Sequence, residues 1–254
     1  MSAQSAPDKI ELFHLLFLRH LGDKLDKNLY ALKGGCNLRF FFRSIRYSED
    51  MDLDIKTIAK DTLKVKVEKI LDSTAFKQNL QARDLEIGEL SAPKQTETTQ
   101  RWKIALRWKH SAVPLRTKVE FSRRGITDPI AFEAIESEII RNYELSSILA
   151  NHYTKESAYI QKLSALINRA EIQARDVFDL NLLYDVGAKP KSLPKDLQKN
   201  LKKAQETALS ISYGDYKSQV FAYLHPRYQE HFGSEKSWNE IVMKVVESLE
   251  AFHK

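Results

Sequence analysis

Leu32-Lys33-Gly34-Gly35-Cys36-Asn37-Leu38-Arg39, followed after six intervening residues by Arg46-Tyr47-Ser48-Glu49-Asp50-Met51-Asp52-Leu53-Asp54, decides the reading of this chain. Tyr30-Ala31-Leu32 reads as a short strand that stops at the glycine pair, and Asn37 to Phe42 is helix-forming. Met51 to Ile55 reads as a second strand, with Met51, Leu53 and Ile55 alternating with Asp50, Asp52 and Asp54. Two glycines let the backbone approach a ligand closely. A helix starting there points free N–H groups at it, which favours a phosphate. Period-two alternation puts Asp50 and Asp52 on one face. Adjacent carboxylates repel unless a cation lies between them, and hard oxygen ligands suit Mg²⁺ shared with substrate phosphates. A glycine pair is commonly a plain turn, and Asp-x-Asp is commonly an exposed strand end. In this order the two together point to phosphoryl or nucleotidyl transfer.

Upstream, Ile10, Phe13, Phe17 and Leu21 have helical spacing. Downstream, Leu63, Val67, Ile70 and Leu71 fit a helix, although Leu63-Val65-Val67 also reads as strand. Trp102, Ile104, Leu106 and Trp108 alternate with Arg101, Lys103, Ala105, Arg107 and Lys109. Leu115, Thr117, Val119 and Phe121 alternate with Arg116, Lys118, Glu120 and Ser122. These predict an antiparallel hairpin with one buried face, and residues 91–100 read as a polar loop or hairpin tip. From about Leu145 the pattern is helical to a C-terminal amphipathic helix carrying Trp238, Ile241, Val242, Val245, Val246, Leu249 and Phe252. The expected fold class is α+β: a mixed α/β core over 1–145, then an all-helical domain over 146–254.

At 43% hydrophobic and 29% charged, the composition is that of an ordinary soluble globular protein. No apolar run reaches the ~20 residues of a membrane span. The densest N-terminal run, Leu12 to Leu18, is broken by His14 and lacks a basic lead-in. The single cysteine, Cys36, forms no internal disulfide and excludes a zinc finger. A cytoplasmic protein with no membrane partner is expected. The net charge of +6 suits a polyanion. Arg101, Lys103, Arg107 and Lys109 form one basic stripe, and Lys189, Lys191, Lys195, Lys199, Lys202 and Lys203 another.

The two quoted segments resemble the signature of the AbiEii-type nucleotidyltransferase toxins, within the polymerase-beta-like nucleotidyltransferase superfamily. A second resemblance lies in Lys162-Leu163, Ala165-Leu166, Arg169 and Arg175-Asp176-Val177-Phe178-Asp179-Leu180. The likeness implies a nucleotidyltransferase-fold sheet with flanking helices. It makes Asp50 and Asp52 the metal ligands, with two Mg²⁺ ions. Lys33, Gly34, Gly35, Arg39 and Ser48 would bind the nucleotide. Lys162 would neutralise phosphate charge and Asp176 complete the active site, both brought to the cleft by the helical domain. Lys162, Arg169 and Asp176 also stand at seven-residue steps, which would align them on one helix face, and Arg175 with Asp176 could be an ordinary surface ion pair. Superfamily members commonly take a third carboxylate from a later strand. Glu120 is that candidate, or else a solvent-facing residue paired with a lysine. Cys36 stands where a small residue is usual and is expected to be buried, not nucleophilic. The implied reaction moves NMP from an NTP to an RNA acceptor, the 3′ end of a tRNA, as the toxin of a toxin–antitoxin or phage-defence pair with a cognate antitoxin protein. A kinase-like phosphoryl transferase, or a non-catalytic nucleotide- or RNA-binding protein, are the alternatives.

Overall fold

Ser5 and Asp8 cap the first helix, α1 (Ala6–Lys24), reciprocally: the Ser5 side chain accepts from the Asp8 N–H, and the Asp8 carboxylate accepts from the Ser5 N–H. From Glu11 to Leu18 every residue of α1 is buried, so this helix is a core element and not a surface one. The computed structural model describes residues 5–252. It divides into a unit running to Phe41 with Tyr47–Tyr153, and a second comprising Phe42–Arg46 with Thr154 onward.

In the first unit the chain continues through β1 (Tyr30–Lys33), α2 (Gly34–Phe41), β2 (Met51–Ile55), α3 (Lys60–Asp72) and α4 (Thr74–Gln81). Then come β3 (Leu85–Gln95), β4 (Thr99–Trp108), β5 (Leu115–Ser122), β6 (Ile130–Ala134), α5 (Ser137–Asn142) and β7 (Leu149–Tyr153). Among the described residues seven strands form one mixed sheet in the order β3-β4-β5-β2-β1-β7-β6. β2 lies at its centre, antiparallel to β1 and parallel to β5. The hairpin β4–β5 pairs Trp102 with Val119 and Ile104 with Thr117 on the buried face, and Arg101 with Glu120 and Lys103 with Lys118 on the other. Trp102, Val119, Phe121 and Leu53 are fully buried. α1 packs against α3, α4, β5 and β7.

Three local expectations change. Residues 91–95 belong to β3, so the tip is only Thr96 to Thr98, closed by the Thr96 N–H donating to the Thr99 carbonyl. β3 is an edge strand exposed along most of its length, which is why its sequence looks like a loop. α2 begins at Gly34 itself. The stretch after Leu145 is not helical at once: β7 intervenes, preceded by β6. Its polar residues are buried: Asn151 donates to the Lys27 carbonyl at 2.7 Å, and His152 stacks on Phe41 at 3.6 Å with its Nδ1 3.0 Å from the Asn37 side-chain oxygen.

The second unit is helical: α6 (Lys155–Asn168), α7 (Ala174–Asp185), α8 (Lys195–Lys199), α9 (Leu201–Ser210), α10 (Tyr213–Gln219), α11 (Pro226–Phe232) and α12 (Glu235–Glu250). α12 buries the stripe Trp238, Ile241, Val242, Val245, Val246 and Leu249 against α7 and α9. Trp238 stacks on Tyr216 at 4.7 Å, and its indole N–H donates to the Ile211 carbonyl.

Candidate active site

The register of the sheet assembles an acidic face that spacing alone does not show. On β2, Asp52 stands opposite Glu120 of β5 and opposite Lys33 of β1. Asp50, one residue before β2, meets the Lys118 ammonium at 2.9 Å. The Glu120 carboxylate accepts from the Arg101 guanidinium at 2.5 Å. Asp50, Asp52 and Glu120 therefore share a face with Lys118 and Arg101. Burial raises the Asp52 carboxyl above the usual range; Lys118 opposes this, while Asp50 and Glu120 reinforce it.

Gly34 begins α2 at φ +64°, and a Cβ there would lie 3.2 Å from the Asp52 carboxylate oxygen. The position thus needs glycine twice over, for the left-handed backbone and for the close approach. The start of α2 thus approaches the carboxylate at the sheet centre too closely to leave room for a side chain.

Asp50 is held from behind by its main chain. Its carbonyl accepts from the Ser48 hydroxyl at 2.8 Å and from the Cys36 thiol at 3.3 Å. The Glu49 carbonyl accepts from Thr117 at 2.7 Å, and the Thr117 oxygen lies 2.8 Å from Nε2 of buried His14. That hydroxyl spends its hydrogen on Glu49, so His14 Nε2 is the donor. Burial drives His14 down to about 3, leaving the imidazole neutral. Cys36 is buried, and burial pushes its thiol up, which suits a packed residue and not a nucleophile.

The other nucleotide-binding candidates are engaged in different ways. Lys33 pairs with Asp54 at 2.6 Å, and Asp54 also accepts from the Tyr153 hydroxyl at 2.7 Å. Asp54, buried, is thereby committed to holding Lys33. Arg39 is not brought to the acidic face: its guanidinium donates to both oxygens of buried Glu11, at 2.5 and 3.1 Å, and covers the Tyr47 ring.

In the helical unit, Asp176 and Asp179 of α7 are both fully buried. Lys162 of α6 lies 3.1 Å from Asp176 and 2.7 Å from Asp179. Arg169 lies 2.8 Å from Asp176, and Arg46 3.0 Å from Asp179. Lys162, Arg169 and Asp176 do not share one helix face, because the chain breaks between α6 and α7; they meet across two packed helices. Nor do Arg175 and Asp176 form a surface pair, since Asp176 is buried against Lys162 and Arg169. Burial by itself would raise the Asp179 carboxyl, but Arg46 and then Lys162 outweigh it and hold it below the usual range. Three cations around two carboxylates leave one positive charge in excess, with Lys162 and Arg169 retaining 12% and 39% exposure. Sequence reasoning gave Arg46, Asp179 and Lys118 no role. Arg46 and Asp179 lie inside the quoted motifs, whereas Lys118 is marked only by strand register.

Of the basic strand, Lys103, Arg107 and Lys109 are exposed, while Arg101 is tied to Glu120. The six lysines from Lys189 to Lys203 are exposed as well. Among the described residues no group of three or more His, Cys, Asp or Glu side chains is already arranged around a metal position. No helix among them is long and apolar enough to cross a membrane.

Comparison with known proteins bears on this site. The profile of the family described as "Nucleotidyl transferase AbiEii toxin, Type IV TA system" matches residues 16–250. Compared with curated proteins, the chain has no match. The fold is similar to that of JHP933 from Helicobacter pylori, with a TM-score of 0.66 at 19% identity, covering 99% of this chain and 94% of that one. It is also similar to MenT4, the nucleotidyltransferase toxin Rv2826c from Mycobacterium tuberculosis H37Rv, with a TM-score of 0.61 at 16% identity, covering 98% and 89%.

Proposed function

The chain belongs to the AbiEii nucleotidyltransferase toxin family of type IV toxin–antitoxin systems, and from that premise we propose that it transfers NMP from an NTP to a hydroxyl of an RNA, the 3′ end of a tRNA, with a cognate antitoxin as its protein partner. The observation that carries this reading is the meeting of Asp50, Asp52 and Glu120 on one sheet face with the glycine start of α2 pressed against Asp52.

These residues fit Mg²⁺. The donors are hard carboxylate oxygens. Burial, reinforced by Asp50 and Glu120, raises Asp52, and a divalent cation would offset both effects; Lys118 and Arg101 already stand against Asp50 and Glu120 as monovalent counter-ions. Asp50 and Asp52 would hold the metal, with Glu120 as the third carboxylate. When bound, Mg²⁺ supplies neutralisation of phosphate charge and a more acidic acceptor hydroxyl. The chain's own residues then do the positioning. The first turn of α2, entered through Gly34 and Gly35, offers N–H groups without helical partners to the triphosphate. Lys33 adds a cation held in place by Asp54. Ser48 and Cys36 fix the Asp50 main chain, so the carboxylate needs little reorganisation. Lys162 and Arg169, oriented by Asp176 and Asp179, keep 12% and 39% exposure and suit substrate phosphate.

The test is purified protein with Mg²⁺, total RNA and NTPs labelled at the α or the γ phosphate. Transfer of α label with release of pyrophosphate is expected. Transfer of γ label would replace the reading with a kinase, and absence of both would leave a binding protein. Exposed Lys103 and Arg107 are the strand cations free to meet RNA. The double variant Lys103→Glu, Arg107→Glu should bind RNA more weakly, with the slope of log affinity against log salt reduced by about 1 per residue. Equal RNA binding at every salt concentration would move the RNA route away from this strand, to the lysines from Lys189 to Lys203.

A further inference from the structure

On the acidic face Lys118 pairs with Asp50, a proposed metal ligand, and both side chains stay part-exposed, at 30% and 29%. An ion pair so wetted is weak and replaceable. Its ammonium is a point charge on a flexible four-carbon stem, unlike the planar guanidinium by which Arg101 grips Glu120. Lys118 also faces a second lysine, Lys103, directly across the β4–β5 ladder. Like charges so placed repel, and the pair is tolerable while Asp50 answers one of them. Lys103, Arg116 and Lys118 line a cavity of about 370 Å³ together with Asp50, Glu49 and Glu89. Once a divalent cation takes the charge of Asp50, Lys118 is left beside Lys103 and the cation, with Glu49 and Glu89 as the remaining acids of a cavity that also holds Arg116, and an anion entering that cavity restores the balance.

We propose that Lys118 is a resident counter-ion of Asp50 that a divalent metal displaces, and that the freed ammonium then binds the phosphate groups of the nucleotide. This rests on the nucleotidyltransferase reading of the acidic face. It gives the site an order of assembly: metal first, with the cation that guarded Asp50 becoming a substrate ligand. Asp50 also stays paired before either ligand arrives.

The experiment titrates Mn²⁺ calorimetrically into the full chain without nucleotide, then a non-hydrolysable NTP at saturating Mn²⁺. Lys118→Met should bind Mn²⁺ several-fold more tightly, because the competitor is gone. It should bind the NTP analogue about tenfold more weakly, the size of one charge-assisted hydrogen bond. Without metal it should melt below the unaltered protein, and Mn²⁺ should restore the difference. Lys118→Arg keeps the charge and adds a planar fork that suits a carboxylate, so it should bind Mn²⁺ no more tightly than the unaltered protein. That variant carries the test if Lys118→Met does not melt cooperatively. Unchanged or weaker Mn²⁺ binding in Lys118→Met, or tighter binding in Lys118→Arg, would overturn the displacement. Unchanged NTP affinity in Lys118→Met would overturn the second role. Asp50→Asn separates this from the reading beneath it: if that variant binds Mn²⁺ undiminished, the acidic face is not the metal site. If it loses Mn²⁺ while Lys118→Met behaves as the unaltered protein, only the exchange is wrong.

Discussion

Asp52→Asn should lose transfer activity on the order of 10³-fold and yet, without divalent metal, be more stable than the unaltered protein. The activity loss follows from removing a central ligand of a charge-neutralising ion, whose effect on phosphoryl chemistry is several kcal/mol, or about three powers of ten. The stability gain follows from the raised carboxyl of Asp52, set by burial and by Asp50 and Glu120 against the opposing Lys118. A folded state that holds a proton more tightly than the unfolded chain loses stability as pH rises through that interval, and none is lost below the unfolded value near ~4. The gain in Asp52→Asn should therefore be seen at pH 7, shrink toward pH 3, and disappear when saturating Mg²⁺ stabilises the unaltered protein alone. Thermal melts across pH, with and without Mg²⁺, read all three. A variant that keeps its activity would end the carboxylate mechanism, and one less stable at pH 7 without metal would end the electrostatic account.

Asp179→Ala should cost about 3–5 kcal/mol of folding stability, the scale for removing one partner from a buried ion pair. Arg46 is itself only 6% exposed and would keep its charge beside the void, with Lys162 reduced to one acid partner. Removing both ends of the pair should be cheaper than removing one: Arg46→Met with Asp179→Leu should be more stable than Asp179→Ala. The coupling appears in a double-mutant cycle by urea denaturation followed by circular dichroism. The acid limb of stability has the opposite sign to Asp52. Because the folded carboxyl of Asp179 lies below its unfolded value, its contribution is present above pH ~4 and is lost as pH falls through the folded value. A pH profile of Asp179→Ala that stays parallel to that of the unaltered protein down to pH 2 would contradict this.

How much of this was legible beforehand depended on whether local spacing or long-range register carried the information. β2 and the β4–β5 hairpin were readable because each buries one face, so Met51, Leu53, Trp102, Ile104 and Val119 alternate with charges. The same alternation put Asp50 and Asp52 on one side. β6 was missed because it is largely exposed, and β7 because its interior residues include Asn151 and His152, satisfied by hydrogen bonding and stacking that no periodicity reports. Glu120 stayed ambiguous because a carboxylate on a strand acquires meaning only when the neighbouring strand is aligned; the parallel match of Asp52 with Glu120 is a property of the sheet. The helical cluster shows the converse. Lys162, Arg169 and Asp176 do meet, but across a helix–helix contact, so the seven-residue spacing was a coincidence. The partner that completes the cluster through Asp179, Arg46, comes from far earlier in the chain.

The buried thiol behind Asp50 gives the molecule a chemical gauge of its own. Cys36 is the single cysteine of the chain, and its sulfur is sealed between the first turn of α2, His14 and the Asp50 carbonyl. A thiol-directed dye can reach it only when that seam opens, so its labelling half-time clocks the opening of the acidic face without any engineered reporter. Slower labelling with each added ligand would turn one unreactive atom into a running record of how tightly the site is shut.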